Sequence, residues 1–311
     1  MDNQQSTISN QQFRIIDPKE TPRHDFHQFI VGAIAPRPIA FASTMDADGN
    51  PNLAPYSFFN AFSSNPPILV FSSNRRATNN TTKDTLSNIR ETGEVVINVV
   101  NYSIVWQMAV ASAQFPKGIN EFEKSGLTPI PADLVRPFRV KESPVQMECK
   151  VTDVITLGEQ GGAGHLIICE MLRMHIAESV LDERGRIDPH KLDLVGRLGR
   201  SYYVRASGDA VFTVVQPIEK PCIGYDRLPD GIKFSPVFTG NNLGQLAGLQ
   251  EVPNQEEVLA LRENDERVQK ILAASVEPMV DLHRYAKEIL DQNDEERRAL
   301  AGRIAWLFEV L

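Results

Sequence analysis

The chain is poor in cysteine: it has only three, Cys149, Cys169 and Cys222, among 311 residues, and no C-x-x-C pair. Their odd number and wide spacing argue against a disulfide framework and against a structural zinc site. We therefore expect a protein of the reducing cytoplasm that holds no metal ion.

Long apolar runs and basic clusters are also missing. No run is long enough to cross a bilayer, and the amino-terminal "MDNQQSTISNQQ" lacks the basic start and apolar core of a signal peptide. Acidic residues outnumber basic ones, 40 to 32, and the net charge of −8 argues against a nucleic-acid-binding protein. No G-x-G-x-x-G opens a βαβ unit and no Walker-type loop occurs, so neither a Rossmann fold nor a P-loop is supported. We expect neither a membrane nor a nucleic-acid partner.

What the chain does contain is a series of short segments with high β propensity. We predict strands over Pro38–Thr44, Ile68–Ser73 and Glu94–Val100. A second strand should follow the turn "MDADGNP" and break at "SSNPP". Two longer strands, "VQMECKVTDVITLG" and "HLIICEMLRMHIAES", flank the flexible turn "EQGGAG". Short helices are predicted within "TTKDTLSNIRETG", which Gly93 ends, and within "YSIVWQMAVASA".

The two ends of the chain have a different character. Residues 1–28 form a polar lead-in, and from Asn254 onward the residues favour helix, with Asn254 and Glu257 spaced as in a capping box. Pro278 separates two of these helices. A final amphipathic helix carries an apolar stripe at Leu300, Ile304, Leu307 and Leu311, and Asp294, Glu295 and Glu296 lie at its amino-terminal end. We predict two or three helices docked on a β-rich domain or on a partner subunit.

The stretch "RPIAFASTMDADGNPNLAPYSFFNAFSSNPP" is unusually rich in small and hydroxylated residues for a pair of strands. Small residues such as Ala42, Ser43, Ala54 and Ser57 would let a flat ligand approach the backbone, and hydroxyl and N–H groups could bond its polar edge. The alternative is an edge strand whose hydroxyl groups face the solvent, and on composition alone this alternative is preferred.

A second stretch, "TTKDTLSN", favours a ligand. Lys83 and Thr85 lie at the start of a predicted helix, where free N–H groups and a partial positive charge suit a phosphate. An ordinary capped surface helix is the alternative. Together, the small-residue strands and this helix start suggest a flat, phosphorylated cofactor.

The run "PRPIAFAST…DGNPNLAPYSFFNAFSSNPPILVFSS…KDTLSNI" resembles the FMN-binding split-barrel flavin reductases, the flavoredoxin-like group. The pieces "GHLIICEML" and "GRIDPHKLDLVGRLGRSYYVR" extend the resemblance from Pro36 to Arg205. It implies a mainly β fold, a six-stranded antiparallel split barrel with short inserted helices, followed here by a carboxy-terminal helical extension. The implied domains are residues 29–215 for the barrel and 216–311 for a linker and the extension.

The resemblance also implies roles for particular residues. Arg37, Ser43 and Thr44 would lie along the flavin's first strand, Ser63 near the ribityl chain, and Lys83 and Thr85 at the FMN phosphate. The isoalloxazine ring would meet the segment that contributes Pro55, Tyr56, Ser57, Phe58 and Asn60.

His165 matches a histidine at the cofactor pocket of relatives and is the candidate catalytic residue; a strand histidine satisfied by its turn is the even alternative. Two positions depart from the family pattern: Gly164 stands where relatives usually have Asp, and Arg200 where they often have Gly.

The implied activity is that of an FMN-dependent oxidoreductase, an NADH- or NADPH-dependent flavin reductase that works as a homodimer. A monooxygenase or a redox protein would be its partner. The alternative is a flavin-binding electron carrier or sensor without turnover. For the remaining candidates we expect His24 and His27 to be solvated, Cys169 to be a small core residue, and Trp106 and Trp306 to serve packing.

Overall fold

The computed structural model describes residues 12–116, 118–214 and 221–310, without the side chains of Glu295 and Glu296. The first eleven residues of the expected lead-in, and Leu311 of the expected apolar stripe, lie outside the described residues. The described chain forms two compact units. The sheet unit is Ile16–Val211, and the helical unit is residues 212–310 with residues 12–15.

The sheet unit is built on seven antiparallel strands. In chain order they are β1 (Ala40–Met45), β2 (Pro51–Tyr56), β3 (Phe59–Ser64), β4 (Pro67–Ser72), β5 (Glu94–Val99), β8 (Val145–Thr156) and β9 (His165–Ile176). Their order across the sheet is β2-β1-β5-β8-β9-β4-β3. Two small sheets pair β6 (Pro129–Ile130) with β7 (Arg139–Val140), and β10 (Val195–Arg197) with β11 (Tyr203–Arg205).

The expected six strands of a split barrel were wrong in number, because the structure has one open sheet of seven strands. The segment predicted as one broken strand forms two, because the chain bends at Ser57 and Phe58 and the Phe58 carbonyl accepts a hydrogen bond from the Ser72 N–H at 2.8 Å. Strands β2 and β3 therefore lie at opposite edges of one open sheet. The mainly β class, with helices inserted, is as expected.

Five α-helices are inserted in this unit: α1 (Arg23–Ala33), α2 (Asp84–Thr92), α3 (Val105–Ala111), α4 (Glu121–Ser125) and α5 (Pro189–Leu192). The polar lead-in ends earlier than expected, because α1 begins at Arg23 and buries Val31. Gly93 ends α2 as predicted, with a left-handed φ of 69° that glycine adopts readily.

The sheet has an apolar core on each face, because alternate strand residues point to opposite sides. In β1, Ala40 and Ala42 join one core with Leu86 and Ile97, whereas Phe41 joins the other with Leu53. Cys169 is a core residue, as expected, and is a free thiol like Cys149; burial raises the pKa of Cys149 to about 12. Trp106, in contrast, is 81% exposed, so its expected packing role was wrong.

The helical unit contains seven α-helices among its described residues: α6 (Asp230–Lys233), α7 (Gly240–Ala247), α8 (Gln255–Asn264), α9 (Glu266–Ala274), α10 (Pro278–Leu290), α11 (Glu295–Ala305) and α12 (Leu307–Val310). Five of them follow Asn254, more than the two or three expected. The predicted final helix is interrupted at Trp306, which is buried and packs in the core of this unit with Ile304 and Leu307.

Helix caps in this unit differ from the expected capping box. Asn254 caps α8 by accepting hydrogen bonds from the N–H groups of Glu256 and Glu257, but the Glu257 carboxylate pairs with Arg303 at 3.1 Å. A complete capping box occurs instead at Thr239, which opens α7. Within the described parts of the chain, no helix is both long and apolar enough to span a membrane.

Candidate functional site

Two adjoining cavities lie in the sheet unit, with volumes of about 310 Å³ and about 150 Å³. Both are lined by Pro55, Tyr56 and Lys83, so they meet at these residues. The larger is also lined by His27, Gln28, Val31, Arg37, Ser57, Phe58, Ser72, Asn74, Arg197, Leu198 and Arg200. The smaller cavity is also lined by Asn52, Arg76 and Thr85.

One wall of the larger cavity is the bend between β2 and β3. Pro55, Tyr56, Ser57 and Phe58 form it, where β2 ends and the chain leaves the ladder with β1. Backbone that has left a ladder can bond a ligand with its own N–H and C=O groups. A flat polar ring is therefore well matched to this wall.

Arg37 ties three parts of the cavity together. Its guanidinium donates to the carbonyls of Val31 at 2.6 Å and Ile34 at 2.5 Å, at the end of α1, and to that of Leu198 at 3.1 Å. The guanidinium carbon also lies 5.8 Å from the Phe58 ring centroid. Because Arg37 is only 6% exposed and three carbonyls occupy it, it positions the walls of the cavity.

Lys83 stands at the N-cap position of α2, where the cavities meet. Its ammonium lies 4.7 Å from the centroid of the Tyr56 ring. Burial, and then the charge of Arg76, lower the pKa of Lys83. An anion placed here would relieve both effects, and the free N–H groups of the first turn of α2 would add to its binding.

Helix α1 forms the opposite wall with His27, Gln28 and Val31. The His27 ring meets the Phe58 ring edge-on, with centroids 6.4 Å apart. The expectation that His27 is simply solvated was therefore incomplete, whereas His24 is exposed and pairs only with its neighbour Asp25.

The larger cavity is strongly positive. Arg37, Lys83, Arg197 and Arg200 line it, and no acidic residue does so among the described residues. In the described part of the chain none of these four cations forms an ion pair with a carboxylate. Unmatched positive charge in a chain whose net charge is −8 would suit an anionic ligand.

The structure brings seven of the twelve predicted site residues to the cavities. They are Arg37, Pro55, Tyr56, Ser57, Phe58, Lys83 and Thr85. The Thr85 hydroxyl is buried and accepts a hydrogen bond from the Asn52 amide at 2.8 Å.

The other five lie elsewhere in the sheet unit. Ser43 and Thr44 are buried within β1, and the Thr44 hydroxyl accepts from the Asn52 and Asn88 amides. Asn60 and Ser63 are exposed on the edge strand β3. Their contacts with a flavin stay predictions.

His165 is buried at the start of β9 and lines neither cavity. Its Nδ1 pairs with the Thr156 hydroxyl at 3.0 Å, whereas its Nε2 is buried and has no hydrogen-bond partner among the described residues, so the ring is only half satisfied. Burial, and then the charges of Arg90 and Arg75, lower its pKa, so the ring is neutral near pH 7. Its catalytic role stays a prediction.

The sequence analysis missed several lining residues. Asn74 directly follows a predicted strand, and Arg197 and Arg200 lie within the quoted "GRIDPHKLDLVGRLGRSYYVR", so their positions carried a signal. Arg76 and Asn52 carried none, because their place depends on how the loop before α2 packs on β2.

One cluster has the composition of a metal site: Asp133, Glu148 and His175 bring one ligand atom each within 4.8 Å of one another. The buried Glu148 carboxylate already accepts hydrogen bonds from the Asp133 and Leu134 N–H groups and pairs with His175 at 2.6 Å. The Arg173 guanidinium forms an ion pair with the Asp133 carboxylate, with an N–O distance of 2.6 Å. These contacts fasten a loop to the sheet, and the expectation that no metal is bound stays a prediction.

The sheet unit matches a known protein family. The family model for the flavin reductase like domain matches residues 32–191. An uncharacterized protein of Aquifex aeolicus (strain VF5) is 37% identical over 196 residues, which are 63% of this chain and 97% of that protein.

Solved structures agree with this match. Nitrilotriacetate monooxygenase component B of Bacillus cereus is 33% identical with a TM-score of 0.61, over 66% of this chain and 100% of that one. A candidate flavin reductase with a split barrel domain from Shewanella frigidimarina NCIMB 400 is 27% identical with a TM-score of 0.54, over 63% and 94%.

The role of Arg37 leads to a stability prediction. Replacing it in Arg37→Leu removes three charge-assisted bonds to carbonyls and should lower the free energy of unfolding by about 3 kcal/mol. Hydrogen exchange should quicken most in Arg23–Ala33, as measured by mass spectrometry. The exposed Arg184, replaced in Arg184→Leu, is the control and should change neither value. Unchanged exchange in α1 of the Arg37 variant would show that other contacts hold this wall.

Proposed function

Because the chain belongs to the flavin reductase like domain family, we propose that it is an FMN-dependent oxidoreductase that passes a hydride from NADH or NADPH to the flavin. The observation that carries the proposal is the larger cavity, whose wall at Pro55–Phe58 suits a flat ring and whose Lys83, where the smaller cavity adjoins it, suits a phosphate. The likeness to a candidate flavin reductase supports it further.

The residues divide the binding between them. Backbone groups and side chains of the β2–β3 bend would bind the ring, and Lys83, at the start of α2, would bind the phosphate with Arg76 and Thr85 beside it. Arg37 would keep α1 against the bend, which limits the access of water to the ring.

The flavin, when bound, supplies the hydride-accepting chemistry. This chain needs to orient the ring toward the donor and needs no catalytic acid or base for hydride transfer. That His165 lines neither cavity is therefore no objection to an oxidoreductase.

The direct test is to load the protein with FMN and add NADH or NADPH without oxygen. Loss of the flavin's visible absorbance at a rate that saturates with the donor would support the reductase. FMN that binds but is reduced no faster than free FMN would instead favour the alternative, an electron carrier or sensor. A protein that binds no FMN would contradict both.

Lys83 gives the sharpest prediction about the cofactor. A charge-assisted hydrogen bond is worth roughly 1.5–3 kcal/mol, so Lys83→Ala should weaken FMN binding about tenfold to a hundredfold in a fluorescence titration. Riboflavin lacks the phosphate and should bind the variant and the wild type about equally. A variant that loses riboflavin as strongly as FMN would show that the lysine acts on the ring or the fold.

We also propose the homodimer, with a monooxygenase or a redox protein as its partner. Met174 and Ile176 lie two residues apart in β9, next to Leu172 at an irregularity of the strand, and the exposed fractions of Leu172, Met174 and Ile176 are 43%, 41% and 36%. They form an apolar stripe that a second subunit would cover. The likeness to a monooxygenase component supports such a partner. Location in the cytoplasm stays a prediction.

The stripe makes the dimer testable by sedimentation at micromolar concentration. The wild type should sediment as a dimer, and Met174→Glu should shift it toward monomer, because a charge buried in an apolar contact is costly. Val276, which is 97% exposed, provides the control in Val276→Glu, which should stay dimeric. A wild type that is monomeric with FMN bound would refute the dimer.

A further inference from the structure

We propose that Arg197 and Arg200 form a second anion subsite, which receives a phosphate group of the nicotinamide dinucleotide that reduces the flavin. The inference rests on the proposed function and assigns these two arginines to the electron donor, not to FMN.

FMN has candidate cations of its own at the start of α2. The phosphate of FMN carries about two negative charges at pH 7, because its second pKa is about 6. Lys83 and Arg76 line the smaller cavity, together with the acidic Asp84 and Glu121, and they are the cations that would contact this phosphate at the start of α2. Arg197 and Arg200 then remain in the larger cavity, without a carboxylate partner among the described residues. Two unmatched guanidinium groups in an open cavity are suited to a second anion.

Arg197 and Arg200 also lie in a different part of the site from Lys83. Lys83 lies where the two cavities meet, whereas Arg197 and Arg200 line only the larger one. The segment from Arg197 to Arg200 is fixed against α1. The Leu198 carbonyl accepts a hydrogen bond from Arg37 at 3.1 Å. Gly199 lies so near Gly32 that a Cβ on Gly199 would be 3.2 Å from the Gly32 Cα. The two pairs of cations therefore belong to different parts of the site.

Arg197 is held in place for binding. Its backbone exchanges two hydrogen bonds of 2.9 Å with that of Arg37, and its guanidinium stacks over the Tyr203 ring at 4.5 Å. It also donates to the Arg200 carbonyl. A guanidinium has five N–H donors in a plane, so donors remain for two phosphate oxygens.

Arg200 occupies a costly backbone position. Its φ of 56° lies in the left-handed region, which glycine adopts freely and other residues adopt only with strain. Its side chain is exposed and lines the cavity. Strain of this kind persists mostly where a side chain serves a function. Here the side chain adds a charge at the open part of the cavity, where a donor would approach.

The test compares the FMN-loaded wild type with Arg200→Gly, which suits the left-handed backbone and should fold. Three quantities are measured: kcat and KM for NADPH and NADH, the dissociation constant of NADP+ by flavin difference spectra, and that of FMN. We expect KM and the NADP+ dissociation constant to rise about tenfold or more, since a charge-assisted contact is lost, while FMN affinity stays within twofold. Arg200→Lys should recover part of the lost donor affinity. The control variant Arg184→Ala, at an exposed arginine, should show no loss of donor affinity.

The two donors identify the phosphate. A loss confined to NADPH supports contact with its 2′-phosphate, and an equal loss for NADH and NADPH supports contact with the shared pyrophosphate. Unchanged donor KM and NADP+ binding in Arg200→Gly would overturn the proposal. So would FMN affinity that falls as far as donor affinity, because the arginines would then hold the flavin's phosphate.

Failure of the proposed function would look different. If the wild type oxidises neither donor, binding of NADP+ and of adenosine 2′,5′-bisphosphate still decides the subsite. Binding that Arg200→Gly abolishes supports it, and a wild type that binds neither probe contradicts it.

Discussion

The candidate site depends on one buried cation. Arg37 bonds two carbonyls at the end of α1 and one in the loop after β10, and its backbone pairs with that of Arg197. A helix end leaves carbonyls without partners inside the helix, and a buried guanidinium satisfies them in one place. Without it, α1 and the Leu198 loop would lose the contact that sets the width of the larger cavity.

This arrangement also determines the electrostatics of the cavity. The N–H groups of the Arg37 guanidinium donate to protein carbonyls. Its positive charge nevertheless remains and adds to the charges of Lys83, Arg197 and Arg200. Burial, and then the charge of Arg197, lower the pKa of Arg37, because these two cations lie close to each other. Repulsion among bound cations is relieved by an anionic ligand, so the same residues that shape the cavity make it favour phosphorylated molecules.

The sequence was informative where local signals decide the structure. Gly93 marked the end of α2, and β-prone segments on either side of the turn "EQGGAG" marked the long strands β8 and β9. The bend at Ser57 could not be read, because it depends on a hydrogen bond from Ser72, on another strand, to the Phe58 carbonyl.

The same limit applied to the site. The resemblance led to the wall at Pro55–Phe58 and to Lys83, which local motifs encode. The contributions of α1 and of Arg76 come from packing between segments distant in the chain, and no local pattern carries them.

The proposed function requires that the two adjoining cavities bind a flavin through its phosphate as well as its ring. The most direct measurement is the affinity of the wild type for FMN and for riboflavin at rising salt concentration. The account predicts that FMN binds at least about tenfold tighter, and that the difference shrinks as salt screens the cations. Equal affinities at low salt would contradict it.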